Sequence, residues 1–180
     1  MEIFDKKFKE IFCSQIVSIV GGLIAGTILA VYTNKLLLIP GMLILLPGFL
    51  EMRGNISGSL SARLTSGLFL GVVKPNKTKT KIVKGNILAS FLLAIIVSFV
   101  LGVIAFSFIF IFFDIFAPKI ILISLIAGIL SNTIEIPLTL FFTFYLFSKG
   151  HDPNNIMGPF VTSTGDITSV VSLLIVMVLI

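Results

Sequence analysis

Hydrophobic positions fall into five long blocks: Ile11 to Tyr32, Leu36 to about Leu64, Asn86 to Phe113, Ile120 to Phe147 and Met157 to Ile180. Each exceeds the ~20 residues a helix needs to cross a hydrocarbon core. The pattern predicts an all-α polytopic membrane protein with five transmembrane helices. The second block is irregular, because Pro40, Pro47 and a polar run interrupt it. From Leu36 to Val73 a straight helix would reach roughly 57 Å, against a core of about 30 Å. A break is expected, either at Pro40 and Pro47 or near Gly67 with the helix continuing along the inner surface. Ahead of the first block, Met1 to Glu10 alternates Phe4 and Phe8 with charges, as a short amphipathic surface helix would. The first block is too long for the apolar core of a signal peptide and is followed by no small-residue cleavage site, so it reads as an anchor. The chain thus divides into an N-terminal segment, 1–10, and one membrane domain, 11–180, with a basic loop at 74–85.

Composition agrees with a multi-pass protein of the cell membrane. Hydrophobic residues make up 57% and charged residues 12%, with a mean hydropathy of +1.17, whereas soluble domains carry roughly 25% charge. One cysteine, Cys13, allows neither an internal disulfide nor a thiolate metal site. The single histidine, His151, stands in a polar loop beside Asp152 and reads as a solvated residue. With no catalytic pair and no cofactor motif, an enzyme is not expected. Lys74, Lys77, Lys79, Lys81 and Lys84 separate the second and third blocks without an acid, whereas the next loop offers only Asp114 and Lys119. Lys149 follows the fourth block, and Lys35 alone follows the first. The positive-inside rule then places the N-terminus and the basic loop in the cytoplasm and the C-terminus outside. A lysine run also suits nucleic acid or anionic lipid, but beside membrane spans the topological role and a lipid neighbour take precedence, and nucleic acid is not expected.

Three carboxylates, Glu51, Glu135 and Asp166, fall inside apolar blocks. A charge at that depth costs roughly 2.5–3.5 kcal/mol on the insertion scale, so it faces a partner or a water-filled path. Asp166 is nine residues past Met157, about 13 Å into a helix, and Pro159 suits that helix's first turn. Thr162 and Asp166 share one face, and Ser163 and Thr164 widen it into an oxygen-rich strip. Hard cations such as Mg2+ take oxygen ligands and retain water. Interhelical hydrogen bonding is the competing reading of the hydroxyls, but it does not explain Asp166. In the second block Glu51, Asn55 and Ser59 make a polar stripe, while Gly54 and Gly58 allow close helix approach. A packing motif with Arg53 in an internal ion pair to Glu135 or Glu51 is the alternative there. Gly22 and Gly26 look like a packing pair in the first block. In the fourth, Pro137 frees the carbonyl of Thr133, and Glu135 is open to three roles: cation ligand, proton acceptor or partner of Arg53.

The run from Asp152-Pro153 through Gly158-Pro159-Phe160-Val161-Thr162-Ser163-Thr164-Gly165-Asp166 resembles the last membrane helix of MgtE-type magnesium transporters. Gly54-Asn55 with Ser59 to Thr65 is similar to that family's second helix. Arg53-Gly54-Asn55 with Ala62-Arg63-Leu64-Thr65 is nearer to its eukaryotic solute-carrier relatives. The resemblance covers essentially the whole chain. It implies a Mg2+-permeable pathway at a parallel homodimer interface, lined by helices two and five, with Asp166 as the main ion-binding carboxylate and Asn55 as a polar pore residue. Glu135, Thr162, Glu51 and Ser59 complete the candidate cation ligands. The chain departs from the bacterial pattern in lacking cytoplasmic sensor domains, in having Arg53 where a small residue is usual, and in its extra acids Glu51 and Glu135. A carrier or exchanger coupled to Na+ or protons stands beside a channel, and a membrane scaffold with structural ion pairs is the reading outside transport.

Overall fold

A computed structural model describes residues 5–75, 77 and 80–180. They form five helices and no strand. The caps and turns fix the boundaries. The Asp5 carboxylate accepts from the Phe8 N–H at 2.8 Å and starts α1 (Lys6–Leu36). Residues 6–10 are therefore the first turns of α1, and the earlier part of the expected amphipathic segment, with Phe4, lies outside the described residues. Gly41, at φ +84°, turns the chain into α2 (Met42–Phe69), a backbone conformation that favours glycine. The expected break is therefore at the Pro40 turn. Pro47 lies within α2 and does not end it, and Gly71 at φ +72° follows its C-terminus.

Thr80 caps α3 (Lys81–Phe113) and Asp114 at φ +53° ends it. Then α4 (Lys119–Ser148) runs through Pro137, and Asp152 caps α5 (Pro153–Leu179) by accepting from the Asn154 N–H at 2.9 Å. Pro153, not Pro159, occupies the first turn of α5. The helix starts four residues before the apolar block because its cap, Asp152-Pro153, lies outside the hydrophobic pattern. Four helices, α1, α3, α4 and α5, are long and apolar enough to cross a membrane. With 28 residues, or roughly 42 Å, α2 matches them in length but carries Glu51, Arg53 and Arg63.

Its polarity goes with a central position, since α2 packs against α3, α4 and α5, whereas α1 is held by α5. Small residues set the close approaches. A Cβ at Gly102 would come 2.8 Å from the Cα of Ile121, and one at Gly128 would overlap the Ser98 side chain. The Ser124 hydroxyl donates to the Ser98 carbonyl at 2.6 Å across the same α3–α4 contact. In α1 the packing residue is Gly21, against Ser163 of α5. Gly22 and Gly26, expected to pack, meet nothing. The periodicity was compatible with either register, and the face carrying Gly21 and Ala25 is the buried one.

Both ends of the bundle are recognisable. At one, the Lys6 ammonium donates to the Gly150 carbonyl at 2.7 Å, and Glu10 binds His151 at 2.9 Å and Asn155 at 2.9 Å. Val73 and Val83, flanking the basic loop, pack in one cluster with Phe144 and Phe147 at this same end. Lys79 of that loop is outside the described residues. Leu38 to Pro40, Ala117 to Lys119 and Ile180 meet at the opposite end. Lysines thus crowd one end, the one expected to face the cytoplasm. In a Cys13→Ser background, a cysteine at Lys77 should react with a membrane-impermeant thiol reagent only from the cytoplasmic side. One at Asp114 should react only from outside, and labelling of both from one side would reject the orientation. The packing has its own test. Gly128→Leu should destabilise the detergent-solubilised protein by about 1–3 kcal/mol through overpacking, while Gly22→Leu leaves thermal unfolding nearly unchanged; equal effects would refute the assigned α3–α4 contact.

Candidate functional site

The four-residue spacing of Glu51, Asn55 and Ser59 carries them along one exposed face of α2. The Asn55 amide donates to a Glu51 oxygen at 3.2 Å, so the stripe is internally hydrogen-bonded. Beside it runs α5, in the opposite direction: Cβ atoms built at Gly58, Gly54 and Gly165 would meet Val161, Thr162 and the Arg53 Cβ at 4.0, 3.8 and 3.4 Å. The glycines therefore bring Thr162, exposed, and Asp166, half-buried, to the edge of the same face. Glu51 and Asp166 are near enough for their charges to act on each other. Asp166 is thirteen residues into a helix of 27, about 20 Å from its start, and Asn55 is at a similar depth in α2. Five of the six candidate ligands, Glu51, Asn55, Ser59, Thr162 and Asp166, thus share one outward, mid-depth face. Among the described residues no three acidic, histidine or cysteine side chains converge as a closed metal site. One chain presents an oxygen-lined wall instead.

Glu135 lies elsewhere. It is fully buried on α4 and accepts from the hydroxyls of Thr164 at 2.8 Å and Thr168 at 3.4 Å. The oxygen-rich strip expected around Asp166 is therefore split among three neighbours. Ser163 packs on Gly21 of α1, Thr164 bonds Glu135 of α4, and Thr162 with Asp166 faces outward. The reason is the 100° step between successive helix residues, which sends adjacent side chains to different partners. Thr168, missed in the sequence, was detectable as the residue four beyond Thr164.

Arg53 is also fully buried. None of its guanidinium nitrogens finds a hydrogen-bond partner among the described residues, and the ion pairs among them are both at Glu10. The contact pair with Glu135 or Glu51, the alternative reading of this segment, is therefore not formed, although Arg53 and Glu135 act on each other electrostatically. The Ser61 and Thr143 hydroxyls meet at 3.0 Å with a sequence separation of 82, the same separation as between Arg53 and Glu135. So α2 and α4 run parallel, and Ser57 and Thr139, both buried, share the seam. Arg63 turns away from it and donates to Ser90 of α3 at 3.0 Å. His151, expected to be solvated, joins Glu10 and Asn155 in tying α1 to the start of α5.

Residues 46–176 match the family model MgtE, described as a divalent cation transporter. No curated protein and no solved structure matches.

Proposed function

The chain belongs to the MgtE family of divalent cation transporters, and from that premise we propose that it carries Mg2+ across the cell membrane along a pathway closed between two copies. The observation that carries this reading is the outward face of Glu51, Asn55, Ser59, Thr162 and Asp166, which gathers two carboxylates at mid-depth in a bundle that otherwise exposes mostly apolar side chains. Hydrocarbon cannot solvate that face. A second copy inserted in the same orientation presents the same face across a two-fold axis along the membrane normal, and the two walls then enclose an oxygen-lined column.

Asp166 supplies the principal charge, Glu51 a second one, and the Asn55 amide with the Thr162 and Ser59 hydroxyls provides neutral oxygens. This donor set suits a hard divalent cation that keeps part of its water shell, since Mg2+ is bound through one or two carboxylates and retained waters. Gly54, Gly58 and Gly165 line the seam between the two lining helices.

The test is Mg2+ flux into liposomes containing the purified protein, with and without an imposed Na+ or pH gradient to distinguish exchange from passive conduction. Asp166→Asn retains size and hydrogen bonding but removes the charge, so affinity should fall about tenfold, or ~1.4 kcal/mol, with folding intact. Wild-type flux and affinity in that variant would remove Asp166 from the pathway. Asn55→Leu should impair flux more than Ile56→Leu, a volume-conserving change at a buried neighbour. Equal flux in the two would remove Asn55.

A further inference from the structure

Behind the outward face lie two buried charges that touch no solvent. They are Arg53 of α2 and Glu135 of α4. Glu51 and Asp166 are on the outward side of the lining helices, and Glu135 and Arg53 on the buried side. The contacts of α5 fix this division. Thr164 and Thr168, four residues apart, hold the Glu135 carboxylate, while Gly165 between them lies against the Arg53 Cβ and the Gly54 backbone. Asp166, the next residue, is on the other side of α5. A short segment of α5 thus separates the cation-facing carboxylate from a buried carboxylate and a buried guanidinium.

A guanidinium that is fully buried and has no hydrogen-bond partner among the described residues is a poor structural element, because ordinary packing would favour an apolar side chain of similar volume. Its position does have an electrostatic consequence. We propose that Arg53 and Glu135 are positioning residues that set the field at Asp166 from behind: Glu135 draws the cation in, and Arg53 offsets Glu135 so that the cation can leave. This rests on Asp166 being the cation-facing carboxylate. Conduction through a multi-carboxylate wall needs binding strong enough for entry and weak enough for release. Three acids at one depth, with no compensating charge, would hold a divalent cation too firmly, since charges interact strongly in low dielectric. Arg53 reduces that hold without standing in the path.

The signs of the expected effects distinguish this role from a merely structural one. In the purified full chain, Arg53→Met should tighten Mg2+ binding about tenfold and lower the maximal flux, while Glu135→Gln should weaken binding about tenfold. The double variant should return to within about threefold of wild type, and Arg53→Lys, which keeps the charge, should stay near wild type. Arg53→Gln replaces Arg53→Met if the latter is not monodisperse. Two single variants that shift affinity in the same direction, or not at all, would overturn the inference. Asp166→Asn is the reference arm: if it weakens binding while the two single variants fail to diverge, only the field role is lost. If Asp166→Asn itself leaves binding unchanged, the cation pathway at this face is lost as well.

Discussion

An ionised side chain in the middle of a bilayer has to be surrounded by something other than lipid, and this constraint organises the protein. Glu51, Arg53, Glu135 and Asp166 all lie at mid-depth, and the bundle deals with them in two ways. Arg53 and Glu135 are enclosed by α2, α4 and α5, where Thr164 and Thr168 solvate the carboxylate. Glu51 and Asp166 are left towards the outside, with an amide and hydroxyls beside them. The first arrangement closes within one chain. The second calls for another protein surface, and this is the physical content of the proposed pairing.

Much of this was legible in the sequence. Five helices follow from hydrophobic block length, because no other secondary structure satisfies its own backbone in lipid within a single segment. The Glu51, Asn55 and Ser59 stripe follows from a spacing of four, whereas its outward position depends on where α3, α4 and α5 pack against α2. The assignment of Ser163 and Thr164 to the Asp166 face failed for a different reason. Spacing tells which residues share a face, but not which neighbour occupies it, and α5 has neighbours on three sides. Arg53 illustrates the same limit. Its charge suggested a contact pair, and the parallel register of α2 and α4 does bring it level with Glu135, yet the two make no salt bridge.

Helix ends were the least legible part. The apolar blocks begin inside the helices because caps and first turns are polar: α5 starts at Asp152-Pro153, and α3 starts at Thr80 with Lys81 and Lys84 in its first turns. Pro47 was read as a possible stop, yet it lies within an α2 that continues for more than twenty residues. Near the start of a helix a missing N–H costs less, and a membrane bundle tolerates the remaining free carbonyl where neighbours surround it. Pro40 and Gly41 together, rather than either proline alone, make the reversal.

The helix contacts differ in how tightly they interlock, and the difference follows the site. Between α3 and α4, the glycine positions have no room for a methyl group, as at Gly102 and Gly128. Between α2 and α5, a Cβ at Gly54, Gly58 or Gly165 would make only ordinary van der Waals contact. The glycines facing α5 thus give a smooth seam rather than knobs fitted into holes. Polar bonds compensate on the far side of α5, where Glu135 holds Thr164 and Thr168 and Glu10 holds Asn155. So α5 is fixed by charges and hydroxyls to α4 and α1, while the glycine positions at its contact with α2, which bears the rest of the outward polar face, leave ordinary van der Waals spacing. The proposed cation-facing wall therefore rests on a helix anchored from behind by Glu135 and Glu10, with small residues along its seam to α2.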